Sequence, residues 1–260
     1  FAPTLFFAAA LIVHLSVVAL ILSPRLRLPY KWLLAAFTVL VPHTNEVFTN
    51  ATNVQWPLTL ALIVFALTDD AETTRERIFD RLGILFVGMS GPACIVLLPA
   101  FALRWVLRRT IESRSTFFYA LIPSVIQGLA LLIVGFPKGQ SEVSLILISS
   151  VMAYRLWETL LLGFSIPNAE ASVWLSGAGL IATLLFLFLC FRKGTWRAAR
   201  IVIATAWFCV SASVALRFSH DAFFLTSPIA GDRYFYVQHV LVLWWLVIEF
   251  ASARGMLRYI

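Results

Sequence analysis

Read for polarity alone, the chain alternates long apolar stretches with short polar ones. The apolar stretches cover residues 3–22, 31–48, 54–68, 82–103, 117–136, 143–164, 171–191, 198–216 and 234–250. Most approach the ~20 residues that an α-helix needs to span a hydrocarbon core. They are continuously apolar rather than alternating with a period of two, which excludes an outer-membrane β-barrel. The pattern predicts an all-α fold, a polytopic transmembrane helical bundle of about seven to nine spans with one or two broken or re-entrant segments. No soluble domain, low-complexity tract or internal repeat interrupts it, so residues 1–260 read as a single integral-membrane helical domain.

Two stretches break the pattern. Segment 82–103 is interrupted by Ser90-Gly91-Pro92 and again by Pro99, and segment 143–164 carries Arg155 and Glu158 in its middle. Proline removes a backbone donor and its ring clashes with the preceding turn, so a break is expected at both places in the first of them. Between the third and fourth stretches, "TDDAETTRERIFDR" at 68–81 reads as a polar connection with a short interfacial amphipathic helix.

Composition sharpens the class. Hydrophobic residues are 61% of the 260 and charged residues only 13%, more apolar surface than a soluble domain can bury against itself. The net charge of +7 does not point to nucleic acid, because the cations cluster in short runs between the apolar stretches, as cytoplasmic loops do. Were all nine segments to cross, starting outside, 13 of the 20 Lys and Arg would lie inside. Were the two interrupted segments to return to their starting side, 16 would lie inside, leaving Lys138, Arg155, Arg217 and Arg233 outside. Because Lys and Arg set orientation, the expectation is seven crossings and two returning segments. The bilayer expected is a bacterial inner membrane, with the C-terminus cytoplasmic. Cys94, Cys190 and Cys209 all lie in apolar stretches without metal-ligand spacing and read as small core residues. The first stretch has no basic n-region or cleavage site and reads as a helix of a chain whose N-terminus precedes Phe1.

That topology gathers the candidate chemistry on the outer side. "PHTNEVFTNATNVQWPL", residues 42–58, places His43, Asn45, Glu46, Asn50, Asn53, Gln55 and Trp56 between two apolar stretches. Pro42 is expected to end the helix before it and Pro57 to start the next. Polar backbone at membrane depth is tolerated only where protein or water satisfies it, and such breaks build substrate sites. Four amides would offer donors and acceptors to a hydroxyl-rich ligand, Trp56 an apolar platform and Glu46 an acid or base. As plain structure, the same residues would cap two helix ends and anchor the interface.

A second cluster, "RFSHDAFFLTSPIAGDRYFYVQH" at 217–239, holds Arg217, His220, Asp221, Asp232, Arg233, Tyr234 and Tyr236. The rigid fork of an arginine suits a phosphate, although rim salt bridges would use the same residues. The third is Arg155 with Glu158, i,i+3 neighbours able to pair with each other. Ionisable groups inside an apolar stretch are costly and mark a functional site by default. Asp69-Asp70 looks like a metal-binding pair but lies among Arg75, Arg77 and Arg81, and Glu249 is expected to pair with Arg254. No motif assigns a metal ligand, so a divalent cation is left open as a cofactor.

Taken with "NEVFTNATNVQWPL", the broken "GMSGPACIVLLPAF" and "GDRYFYVQHVLVLWW", the pattern resembles the GT-C membrane glycosyltransferases, which use polyprenyl-phosphate sugars. The chain departs from that class in having Glu46, without a neighbouring aspartate, in the first outer loop present. The resemblance implies inverting transfer of a sugar from a lipid-linked phosphate at the extracytoplasmic face. It makes Glu46, Asp221 and Asp232 the catalytic candidates and membrane lipid and lipid-linked sugar phosphate the partners. A transporter or lipid flippase would also want broken helices, and a structural subunit would bind partner membrane subunits through its apolar flanks.

Overall fold

The computed structural model describes residues 2–41, 47, 51–135, 145–162, 173–218 and 231–257. Among them every regular element is helical. The helices are α1 (Ala2–Leu22), α2 (Lys31–Leu40), α3 (Gln55–Leu67), α4 (Thr74–Met89), α5 (Ala93–Arg108), α6 (Ile111–Val134) and α7 (Leu145–Ala153). A π turn at Tyr154–Glu158 joins α7 to α8 (Thr159–Leu162), and α9 (Val173–Phe191), α10 (Arg197–Arg217) and α11 (Tyr236–Leu257) follow. Four of them, α1, α6, α10 and α11, are long and apolar enough to cross a membrane by themselves. The chain is an integral membrane protein built as an all-α bundle.

Local chemistry sets the boundaries. Helix α2 stops at Leu40 rather than continuing to 48, because Val41 precedes Pro42 and takes an extended conformation, φ −62° and ψ 135°. A residue before proline is pushed out of the α region by the ring's Cδ. Pro57 falls in the third position of α3, not the first, still inside the turn that needs no donor. Helices α4 and α6 begin at capping boxes, Thr73 with Glu76 and Thr110 with Ser113. Helix α4 therefore takes in much of the stretch read as an interfacial connection.

Side-chain contacts fix the direction of each helix. Arg77 pairs with Glu112 at 3.1 Å near the starts of α4 and α6, and Gln127 Nε2 donates to Met89 O further along both. Those two helices run parallel. Helix α5 runs back along the other side of α6, which packs against both, so residues 74–108 form a hairpin with both feet at one end of the bundle. Its tip is the turn Ser90-Gly91-Pro92, and its two 16-residue arms reach about 24 Å each. The break at Pro92 occurs; the one at Pro99 does not, since α5 continues through that residue.

The helix over 145–162 is placed by its contacts with α9. Ser150 meets Ser176 with hydroxyls 2.8 Å apart, Trp157 Nε1 donates to Thr183 Oγ1 at 3.2 Å, and Ala153 lies against Gly179. All three pairs have the same offset of 26 residues, so this helix and α9 run parallel. Both therefore start at the same end of the bundle. A Cβ on Gly179 would fall 2.1 Å from the Ala153 Cβ, so the close approach requires glycine. Gly177, by contrast, faces open space.

The bundle has two chemically distinct ends. At the basic end, Arg25 grips Asp80 with both nitrogens at 2.8 and 2.6 Å. Arg27 and Arg108 pair with Asp69 at 2.6 and 3.2 Å, and Arg104 reaches Asp70 at 2.8 Å and the Phe65 carbonyl. The acidic pair Asp69-Asp70 is thus the hub of an ion network rather than an open metal site. Burial alone would raise the Asp70 carboxyl, but hydrogen bonds from Thr110 and Arg104 and the charges of Arg104 and Arg108 hold it below its usual range. Glu249 accepts from Arg200 at 2.7 Å; the side chain of Arg254, its expected partner, lies outside what the structure describes. The packed middle is aromatic: Trp157, Phe186, Trp207 and Trp245 stack with centroids 5.1–5.9 Å apart.

Candidate functional site at the polar end

The opposite end holds the described members of all three sequence clusters. Trp56, in the first turn of α3, meets Tyr234 edge-on at 5.3 Å. Tyr234 also packs on Phe218 at 4.8 Å, and the Arg233 guanidinium lies 5.1 Å over the Tyr234 ring. Asn53 is buried in the 3₁₀ turn before α3, and Arg217 is exposed beside Phe218. Tyr236 is buried, donating to the Thr38 carbonyl at 2.7 Å, so it ties α11 to α2. His43, Asn45, Glu46, Asn50, His220 and Asp221 lie outside the described residues.

Arg155 and Glu158 do not pair with each other. Arg155 Nη1 donates to Asp232 Oδ1 at 2.8 Å, with the arginine side chain 2% exposed and the aspartate 12%. The reason is the π turn, which rotates this stretch away from α-helical spacing. The Thr159 N–H bonds to the Tyr154 carbonyl, skipping the Arg155 carbonyl. That released carbonyl accepts from His239 Nε2 at 2.7 Å and from Thr159 Oγ1 at 2.6 Å. Single-turn π insertions of this kind are common at functional sites because they free backbone polar groups. Glu158 is left with Oε2 buried and without a hydrogen bond.

Sequence reading missed His239 as a partner of Arg155, and it missed Gln238. The Gln238 amide is fully buried and neither its oxygen nor its nitrogen is hydrogen-bonded. Ser211 Oγ is likewise unsatisfied. Both residues lie 11 positions, or about three turns, from the Arg200–Glu249 pair that sets the register of antiparallel α10 and α11. They are therefore level with each other, on the facing sides of two helices. A glutamine two residues into an apolar helix is a visible signal; its burial is not.

The described residues enclose little space here. A crevice of about 90 Å³ lies between Gln55, Trp56, Pro92, Val96, Val210 and Ser213. That is room for about three waters at ~30 Å³ each, well under the ~300–1,000 Å³ of typical ligand pockets. The cavity sized for a sugar phosphate that the sequence reading expects takes in Glu46, Asn50 and Asp221 and so lies partly outside the described residues. Among them no three His, Cys, Asp or Glu gather to hold a metal ion. No family model, curated protein or solved structure matches the chain.

Proposed function

We propose that the chain is a membrane glycosyltransferase-like enzyme that moves a sugar from a polyprenyl-phosphate donor at the polar end of the bundle. The observation that carries the reading is the meeting of Trp56, Arg155–Asp232 and Arg233–Tyr234, drawn from three distant stretches, at one end. Each is expensive near lipid and inexpensive only around shared water or ligand. Cations dominate the opposite end, so the positive-inside rule puts the polar end outside the cell.

In that reaction an acceptor hydroxyl attacks the anomeric carbon and the bond from that carbon to the phosphate oxygen breaks. The hydroxyl proton passes to a carboxylate, and the phosphate leaves with the electron pair, stabilised by arginine. Asp232 is engaged by Arg155, so its role is to hold that arginine rather than to take the proton. Glu46 and Asp221 are the remaining base candidates, of which Glu46 is proposed. Arg233 would face the phosphate and Trp56 the sugar. The experiment is transfer of radiolabelled sugar from polyprenyl phosphate by the purified protein in nanodiscs. Arg233→Ala should cut transfer at least 10-fold, Arg233→Lys should recover part of it, and Glu46→Gln should retain donor binding while losing transfer. Full transfer by Glu46→Gln removes Glu46 from the mechanism.

One observation favours a transporter or flippase instead. The chain over 74–108 breaks at Ser90-Gly91-Pro92 and turns back to its own end, and a π turn interrupts the helix over 145–162, as the broken elements of transporters do. Movement of the intact lipid-linked sugar between leaflets, with no transfer product, would establish that reading.

A further inference from the structure

At the basic end a cleft of about 500 Å³ opens between the α9–α10 turn and the last turns of α11. Its volume falls within the range of ligand pockets. Arg192, Lys193 and Arg200 line it against one carboxylate, Glu249. Elsewhere at this end Arg25, Arg27, Arg104 and Arg108 are neutralised by Asp80, Asp69 and Asp70. Arg192 and Lys193 form no ion pair among the described residues and are exposed.

The turn is built around the cleft. Arg200 is 3% exposed, donates to Glu249 and to the carbonyls of Arg192 and Thr195, and still has a buried Nε without a partner. Gly194 has φ +153°, and a Cβ there would come within 2.8 Å of Arg200 Nη2; a side chain at this position would displace the guanidinium. Trp196, at φ 57°, ends the turn and fastens it by donating Nε1 to the Arg27 carbonyl at 3.0 Å. The 21-residue α10 starts at this point, and its first N–H groups and dipole add positive potential.

We propose that this cleft binds the phosphate of an anionic membrane lipid. The chemistry required is a phosphate anion on two free cations and a half-satisfied buried arginine, which a soluble phosphate could also supply. The surroundings favour the lipid. Phe191, immediately before Arg192, and Phe188 one turn back are exposed on α9, as is Phe250 beside Glu249 on α11. Phe191 and Phe250 are next in sequence to lining residues of the cleft, so the three rings offer acyl chains an apolar surface near it, which a free phosphate has no use for. Basic pockets between membrane helices bind such headgroups.

The site is independent of the chemistry proposed for the other end. It is tested on the purified protein in detergent by titration with phosphatidylglycerol, phosphatidylcholine and inorganic phosphate, read by native mass spectrometry. The variant Arg192→Gln/Lys193→Gln changes two exposed side chains and should keep the wild-type melting temperature. It should bind phosphatidylglycerol roughly 10-fold more weakly or worse, at the ~1 kcal/mol that each cation contributes near an anionic surface. The control Arg75→Gln/Arg109→Gln, at the same end but away from the cleft, should bind as wild type. An equal loss in the control, or equal binding of phosphatidylcholine, would overturn the proposal as diffuse rim attraction. Displacement of phosphatidylglycerol by millimolar inorganic phosphate would reassign the cleft to a soluble anion.

Discussion

The guanidinium of Arg155 and the carboxylate of Asp232 meet at 2.8 Å across 77 residues of chain. One sits on a π turn in the helix over 145–162, the other in the 3₁₀ turn that opens α11. The pair fastens two elements that are far apart in sequence. Removing one partner of a buried pair typically costs about 3–5 kcal/mol, because the other charge is left unsatisfied. Arg155→Ala and Asp232→Ala should each lower thermal stability in detergent by a large amount. The double variant should lose less than the sum, with a coupling of about 1–3 kcal/mol. Strict additivity would show that the two charges do not interact.

Gly179 gives a purely steric prediction. Gly179→Ala places a methyl 2.1 Å from the Ala153 Cβ and 2.8 Å from its Cα, so the parallel helices must move apart at about 1–3 kcal/mol. Gly177→Ala meets nothing within 4 Å and should be neutral or slightly stabilising through helix propensity. Melting temperatures of the two variants check the contrast, and equal losses would place the contact elsewhere.

The hairpin over 74–108 predicts sidedness. Cysteines introduced at Arg75, Arg109 and Lys193 should label from the same side of the membrane, and one at Thr52 from the other. All four positions are exposed. Native Cys94 and Cys190 are buried and should contribute little background. Opposite labelling of Arg75 and Arg109 would mean that the hairpin over 74–108 crosses only once.

Acid should loosen the basic end through Asp70. A carboxyl held below its usual pKa in the folded state adds stability that is fully present above the unfolded value of about 3.9 and is lost as pH falls through the folded value. Thr110, Arg104 and Arg108 provide that depression against the effect of burial. Asp70→Asn should therefore be less stable than wild type at pH 7, and the gap should narrow as pH drops below about 4. A gap independent of pH would show that shape, not charge, is what the asparagine disturbs.

Much of the fold was written in the sequence by itself. Continuous apolar stretches too long and too numerous for a soluble core demand helices in a membrane, because a lipid interior leaves backbone groups only each other to bond. Pro42 stopped α2 and Ser90-Gly91-Pro92 turned the hairpin because proline and glycine act on local backbone, whatever packs nearby. The placement of cations at one end followed from the same local information.

What needed the tertiary structure was partnership. Arg155 could reach Glu158 on an ideal helix, but the π turn gives it Asp232 instead. Glu249 meets Arg200 through the register of α10 on α11, which spacing along the chain does not reveal. Pro99 stayed inside α5 and Asp69-Asp70 became a network hub for similar reasons. Spacing along the chain sets which side chains share a helix face, whereas ion pairs and buried amides depend on which faces meet, and that is decided by packing between segments far apart in sequence.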